Sequence, residues 1–119
     1  MKMMMCLAAT AAMFALPIAA QAADGYVTCQ AYQANKNRVL YTQAFAANKS
    51  DTDKLWTNFT DHLANNGFTK GMYDSAPQPV EGACNWESSA AAANKKAEGF
   101  KANYTAKGAS TMGVHGFPN

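Results

Sequence analysis

The sequence has no block of like charge. Its 10 Lys and Arg and 8 Asp and Glu are scattered and leave a formal net charge of +2, so nothing marks it for nucleic acid or for an anionic membrane surface. Histidine occurs only at positions 62 and 115 and cysteine only at 6, 29 and 84, too few to supply a four-ligand metal set without recruiting scattered carboxylates. There is no G-x-S-x-G turn and no cofactor-binding motif, so hydrolase chemistry has no support in the sequence. No internal repeat occurs, and residues 23–119 contain no apolar run long enough to span a bilayer.

That N-terminal run is informative. "MKMMMCLAATAAMFALPIAAQAADG" has a short positive start at Lys2, an apolar stretch from Leu7 to Ala20, and small residues at Ala20 and Ala22. This is the layout of a secretory signal, and the apolar stretch is too short for a spanning helix. Residues 1–22 are expected to be removed with Cys6, leaving residues 23–119 as one small domain. The expected location is the periplasm or the medium. Two cysteines then remain in an oxidising compartment, and Cys29 and Cys84 are expected to pair. The bridge closes a loop of about 55 residues and stabilises the fold by roughly 4 kcal/mol in the chain-entropy model.

"GYVTCQAYQ" alternates, with Val27, Cys29 and Ala31 on one side and Tyr26, Thr28, Gln30 and Tyr32 on the other, which predicts a strand with one face toward a core. The polar "ANKN" and the β-branched and aromatic "RVLYTQAFA" complete a β-hairpin. A helix is predicted to start at Ser50 or Asp51, with Asp53 in its first turn and Leu55, Phe59, His62 and Leu63 on one face. Gly67 then takes the left-handed position after the helix and Phe68 folds back. A short strand is expected over Thr69–Asp74. In "SAPQPVEG", Ser75–Gly82, Pro77 and Pro79 predict a loop that delivers Cys84. A second helix is expected from about Glu87 to Ala106, followed by a last strand around Met112 and Val114. The whole reads as an α+β fold: a small antiparallel sheet with both helices on one face and Cys84 at the head of the second helix.

Candidate chemistry is sparse. His62 lies beside the apolar stripe of its helix, Ser88 and Ser89 suit a helix start, and Trp56 and Trp86 suit packing. Asp24, Asp51, Asp53, Asp61, Asp74, Glu81, Glu87 and Glu98 form no evident acid and base pair. The N-x-S/T triplets at Asn48, Asn58 and Asn103 read as incidental. The hairpin offers more. With Cys29 toward the helices, Tyr26, Thr28, Gln30 and Tyr32 face away and are joined by Arg38, Leu40 and Thr42. Flat rings among amides and hydroxyls make a contact face for a carbohydrate or a peptide.

The set "YVTC", "VLYTQAF", "LWTNFTDHL" and "CNWESSAAAA" resembles small exported two-cysteine proteins of Gram-negative bacteria. That resemblance implies the fold and the disulfide and no activity. A small sheet backed by helices is also similar in outline to SPOR-type peptidoglycan-binding domains, in a different strand order. The expectation is a non-enzymatic binding module of the cell envelope, contacting cell-wall glycan or an envelope protein. The alternative is an inhibitor of a secreted lysozyme or protease, with "SAPQPVEGAC" as the inserted element.

Overall fold

A computed structural model describes residues 22–70 and 77–118. The leader expected over residues 1–22 lies outside the described residues except for Ala22. Most of the strand expected over Thr69–Asp74 lies outside them too, as does the start of the Ser75–Gly82 loop.

Over the described residues the fold is α+β, with a five-stranded sheet, two helices and one disulfide. Strand β1 (Gly25–Gln33) is its spine. It turns through Ala34–Lys36 into β2 (Arg38–Tyr41). Asn37 closes this turn at φ 48, a left-handed conformation that asparagine tolerates. The hairpin forms where the alternating sequence predicts it. Its return arm, however, is two strands. Gln30 pairs with Tyr41 while Val27 pairs with Phe45 in β3 (Phe45–Ala47), so residues 42–44 oppose only 28–29. This is a bulge. Thr42 spans it: its N–H donates to the Cys29 carbonyl at 3.0 Å and its Oγ1 accepts from the Cys29 N–H at 3.1 Å.

Helix α1 (Thr52–Asn65) follows, with Phe59 and Leu63 buried. Gly67 has φ 81, and the Phe68 N–H returns to the Leu63 carbonyl at 2.9 Å, which is the ending expected from "NNGF". Asp51 occupies the position before the helix without capping it through its side chain. Strand β4 (Glu81–Glu87) then pairs antiparallel with β1 along almost its whole length, Tyr26 against Glu87 through Tyr32 against Glu81. Helix α2 (Ala90–Thr105) begins at Ser89, whose Oγ accepts the Ala92 N–H at 3.1 Å. Strand β5 (Ser110–Gly113) runs parallel to β2.

Several expectations are corrected here. The sheet is mixed rather than purely antiparallel, because β5 returns beside β2 in the same direction. Cys84 sits in mid-strand, directly across from Cys29, and not at a helix head; α2 starts three residues later than expected. Pro77 and Pro79 keep the chain irregular only as far as Val80. Gly82 then permits a close approach to β1, since a Cβ there would lie 1.9 Å from the Gln30 carbonyl oxygen. Finally, the helices lie on opposite faces of the sheet. Val27, Cys29, Ala31, Leu40 and Cys84 meet Phe59 and Leu63 of α1, whereas Thr28 on the other side donates its hydroxyl to the Ala93 carbonyl of α2 at 3.2 Å. The polar side of β1 is therefore buried as well: Thr28 and Gln30 are fully inaccessible.

The C-terminal segment closes the α1 layer. The Val114 N–H donates to the Tyr41 carbonyl at 2.8 Å, and Phe117 packs on Phe59, Phe45 and His62 with ring centroids 5.2, 5.8 and 5.5 Å apart. Phe59, the fully buried ring of this group, stabilises the fold by about 1.5–3 kcal/mol.

Candidate functional site

The contact face expected on the hairpin does not assemble. Arg38 pairs across the strands with Gln33 and Leu40 with Ala31, which places both on the α1 side. The bulge carries Thr42 to Cys29. Sequence alternation alone gave them the wrong partners, because register depends on where the turn closes. Arg38 donates through Nε to Gln33 Oε1 at 2.7 Å, through Nη2 to the Phe68 carbonyl at 3.1 Å and through Nη1 to Met112 Sδ at 3.6 Å. It ties the end of α1 to the hairpin.

Of the other four, Tyr26 is exposed, Tyr32 is half-buried, and Thr28 and Gln30 lie beneath α2. Gln30 Oε1 accepts from Asn85 Nδ2 at 3.2 Å, while its Nε2 is buried with no hydrogen-bond partner among the described residues. Tyr32 stacks on Tyr104 of α2 at 4.2 Å and donates its hydroxyl to Asn37 Oδ1 at 2.8 Å. Phe100 continues the cluster 5.0 Å from Tyr104, and Lys101 Nζ stands 3.8 Å above the Tyr41 ring. Of the two rings that suited a sugar surface, Tyr32 holds α2 to the sheet and Tyr26 stays exposed. Tyr104 donates to Glu81 Oε1 at 3.4 Å. Burial, reinforced by the charge and hydrogen bond of Glu81, raises its phenol above the ordinary value of 10.0.

His62 is occupied by structural contacts. Asn66 Nδ2 lies 3.3 Å from its Nδ1 and the His115 carbonyl 3.1 Å from its Nε2. Neither partner is a carboxylate. Ser89 caps α2, and Ser88 lines a shallow groove of about 500 Å³ with Asp24, Tyr26 and Ala46. Asp24 Oδ1 accepts the Lys49 N–H at 2.9 Å, and Asn48 Oδ1 accepts the Asp24 N–H at 3.0 Å. Trp86 donates to the Ala47 carbonyl at 3.2 Å with Lys49 Nζ 5.5 Å from its ring, and Trp56 lies on Phe59. A groove of about 600 Å³ follows α2 along Ala92, Lys96, Gly99 and Asn103. Among the described residues no group of three or more His, Cys, Asp or Glu is placed to hold a metal, and no helix is long and apolar enough to cross a membrane.

The inhibitor element is also redrawn. In "SAPQPVEGAC" the residues from Glu81 onward belong to β4, and Cys84 is buried. What the sequence reading missed is β4 itself and its outer edge. Cys29 spends its N–H and C=O on Thr42, on the β2 side of β1. Cys29 and Cys84, with Cα atoms 4.0 Å apart, are therefore a pair without mutual main-chain hydrogen bonds. By the alternation of an antiparallel ladder, Gly82, Cys84 and Trp86 turn their N–H and C=O groups away from β1. No described strand pairs with that edge. The period-two spacing of Cys84 and Trp86 was the available signal, masked by the prolines before it and the alanine run after it. Comparison with protein families, with curated proteins and with solved structures finds no match to this chain.

Proposed function

We propose that this protein is a non-enzymatic interaction module of the bacterial cell envelope, exported by the leader read in residues 1–22. The observation that carries the reading is the Cys29–Cys84 bridge, set between β1 and β4 in the middle of the sheet and closed off from solvent. A bridge at this position joins segments 55 residues apart and forms and persists where thiols are oxidised. It agrees with a secretory leader.

For the partner, an envelope protein is favoured over cell-wall glycan. Stacking on sugar requires free ring faces beside free polar groups, and here Tyr32 is stacked on Tyr104 while Thr28 and Gln30 are covered by α2. His62 and Ser89 are engaged in packing and capping, which supports a binding role over catalysis.

Expression of the full chain in a Gram-negative host, followed by fractionation and intact-mass measurement, tests the reading. The expected product lies in the periplasm or medium, begins at Ala23 and carries no alkylatable thiol. A cytoplasmic product that retains residues 1–22, or one with two reactive thiols, overturns it.

A further inference from the structure

We infer that the edge of β4 with which no described strand pairs docks an extended segment of a partner protein that bears a lysine or arginine at each end, added to the sheet as a further antiparallel strand. The inference rests on the reading of the protein as an interaction module. The N–H and C=O groups of Gly82, Cys84 and Trp86 face outward along one line, which is the template that an added strand requires. Exposure follows the same geometry: Cys84 keeps 5% of its surface, whereas Cys29, its partner inside the sheet, has none. The bridge fixes β4 to β1 at its centre, so the template is already rigid when the guest arrives.

Glu81 and Glu87 select the guest. They are the first and last residues of the strand, and the five between them carry no charge. Both alternate to the α2 side, where Glu81 receives the Tyr104 hydroxyl and Glu87 has Lys96 Nζ at 3.9 Å. Lys96 remains 61% exposed, and so loose a surface pair leaves the carboxylate able to take a better-placed cation. Two copies of this chain joined through β4 in antiparallel register about Cys84 would set Glu81 opposite Glu87 at both ends. Like charges directly opposite destabilise a strand pair, and opposite charges favour it. The same two residues therefore reject a second copy and accept a segment with cations at matching positions.

The probe is the capped heptapeptide Lys-Thr-Val-Thr-Val-Thr-Lys, compared with the same peptide carrying glutamate at both ends. Binding is followed by amide hydrogen exchange and by titration against the oxidised protein. The lysine peptide is expected to slow exchange at Gly82, Cys84 and Trp86, and the glutamate peptide to bind about tenfold more weakly. The double variant Glu81→Lys, Glu87→Lys is expected to reverse that order. Three results overturn the inference: no protection of these amides at saturating lysine peptide, equal affinity for the two peptides, or protection that appears with protein concentration alone and assigns the edge to a second copy. Protection by soluble cell-wall glycan fragments and not by the peptide overturns it in favour of glycan. An exported protein that ignores both peptides loses the edge and keeps the function; a cytoplasmic one that binds the lysine peptide does the reverse.

Discussion

The two sides of β1 are both buried, yet they are built differently. On the α1 side, Val27, Cys29 and Ala31 meet Phe59, Leu63, Leu40 and Val114, with Phe45, Trp56 and Phe117 around them. On the α2 side, Thr28 and Gln30 are buried beneath the helix that carries Ala93 and Ala97; contact is made through the Thr28 hydroxyl and the small area of alanine, while the Gln30 amide bonds Asn85 of β4. The first layer is held by apolar area. The second depends on closeness, because small side chains let the α2 backbone come within hydrogen-bond reach of a strand side chain.

That contrast sets the order of mutational effects. Phe59→Ala removes a ring from the apolar layer and is expected to cost about 3–5 kcal/mol, read as a fall in the urea midpoint at unchanged slope. On the α2 side the rings of Tyr32, Phe100 and Tyr104 are only partly buried, and the damaging change there is an enlargement. Ala97→Leu should cost about 1–3 kcal/mol by pushing α2 off the sheet, with slowed near-ultraviolet recovery of the Tyr32 and Tyr104 signals on refolding. If it costs nothing, the close-packed account of this layer fails. Thr28→Val deletes the hydrogen bond to Ala93 at nearly constant volume and should cost about 1 kcal/mol, measured by the same denaturation.

The smallest effect is in the pH profile. Burial, with Glu81 beside it, raises the Tyr104 phenol in the folded state. A group whose folded value is raised contributes stability that is complete below its unfolded value and is lost as pH climbs through the folded one. The loss therefore falls above pH 10, and Tyr104→Phe should flatten the alkaline limb of stability against pH without altering the neutral region.

How far the sequence could be read follows the same division. Helix α1 was legible because Leu55, Phe59 and Leu63 repeat at helical spacing and "NNGF" announces the end, and both arise from local chemistry. The hairpin was legible for the same reason. The α2 side was hidden because Thr28 and Gln30 are polar, and polar residues alternating with apolar ones ordinarily mean a solvated face. Only the arrival of Ala93 and Ala97 from 65 residues downstream buries them, a fact of tertiary structure with no trace in the local pattern. The disulfide partners could be counted from composition, but the strand that carries Cys84 could not. Two prolines before it and four alanines after it drew the reading toward loop and helix. The expected contact face failed through register, since the turn that closes at Asn37 sends Arg38 and Leu40 to the α1 side.

The bulge at Thr42 gives β1 two successive partners along one edge, both drawn from the next twenty or so residues of the chain. The other edge waits for β4. During synthesis, then, the N-terminal hairpin has everything needed to close while half of its central strand stays bare and Cys29 has nothing to join. From the end of β3 at Ala47 to the end of β4 at Glu87 the chain adds 87 − 47 = 40 residues, and over that interval it carries a free thiol beside an unpaired strand. A chaperone or oxidant acting on this protein has its clearest opportunity there, before the strand that completes the sheet has been made.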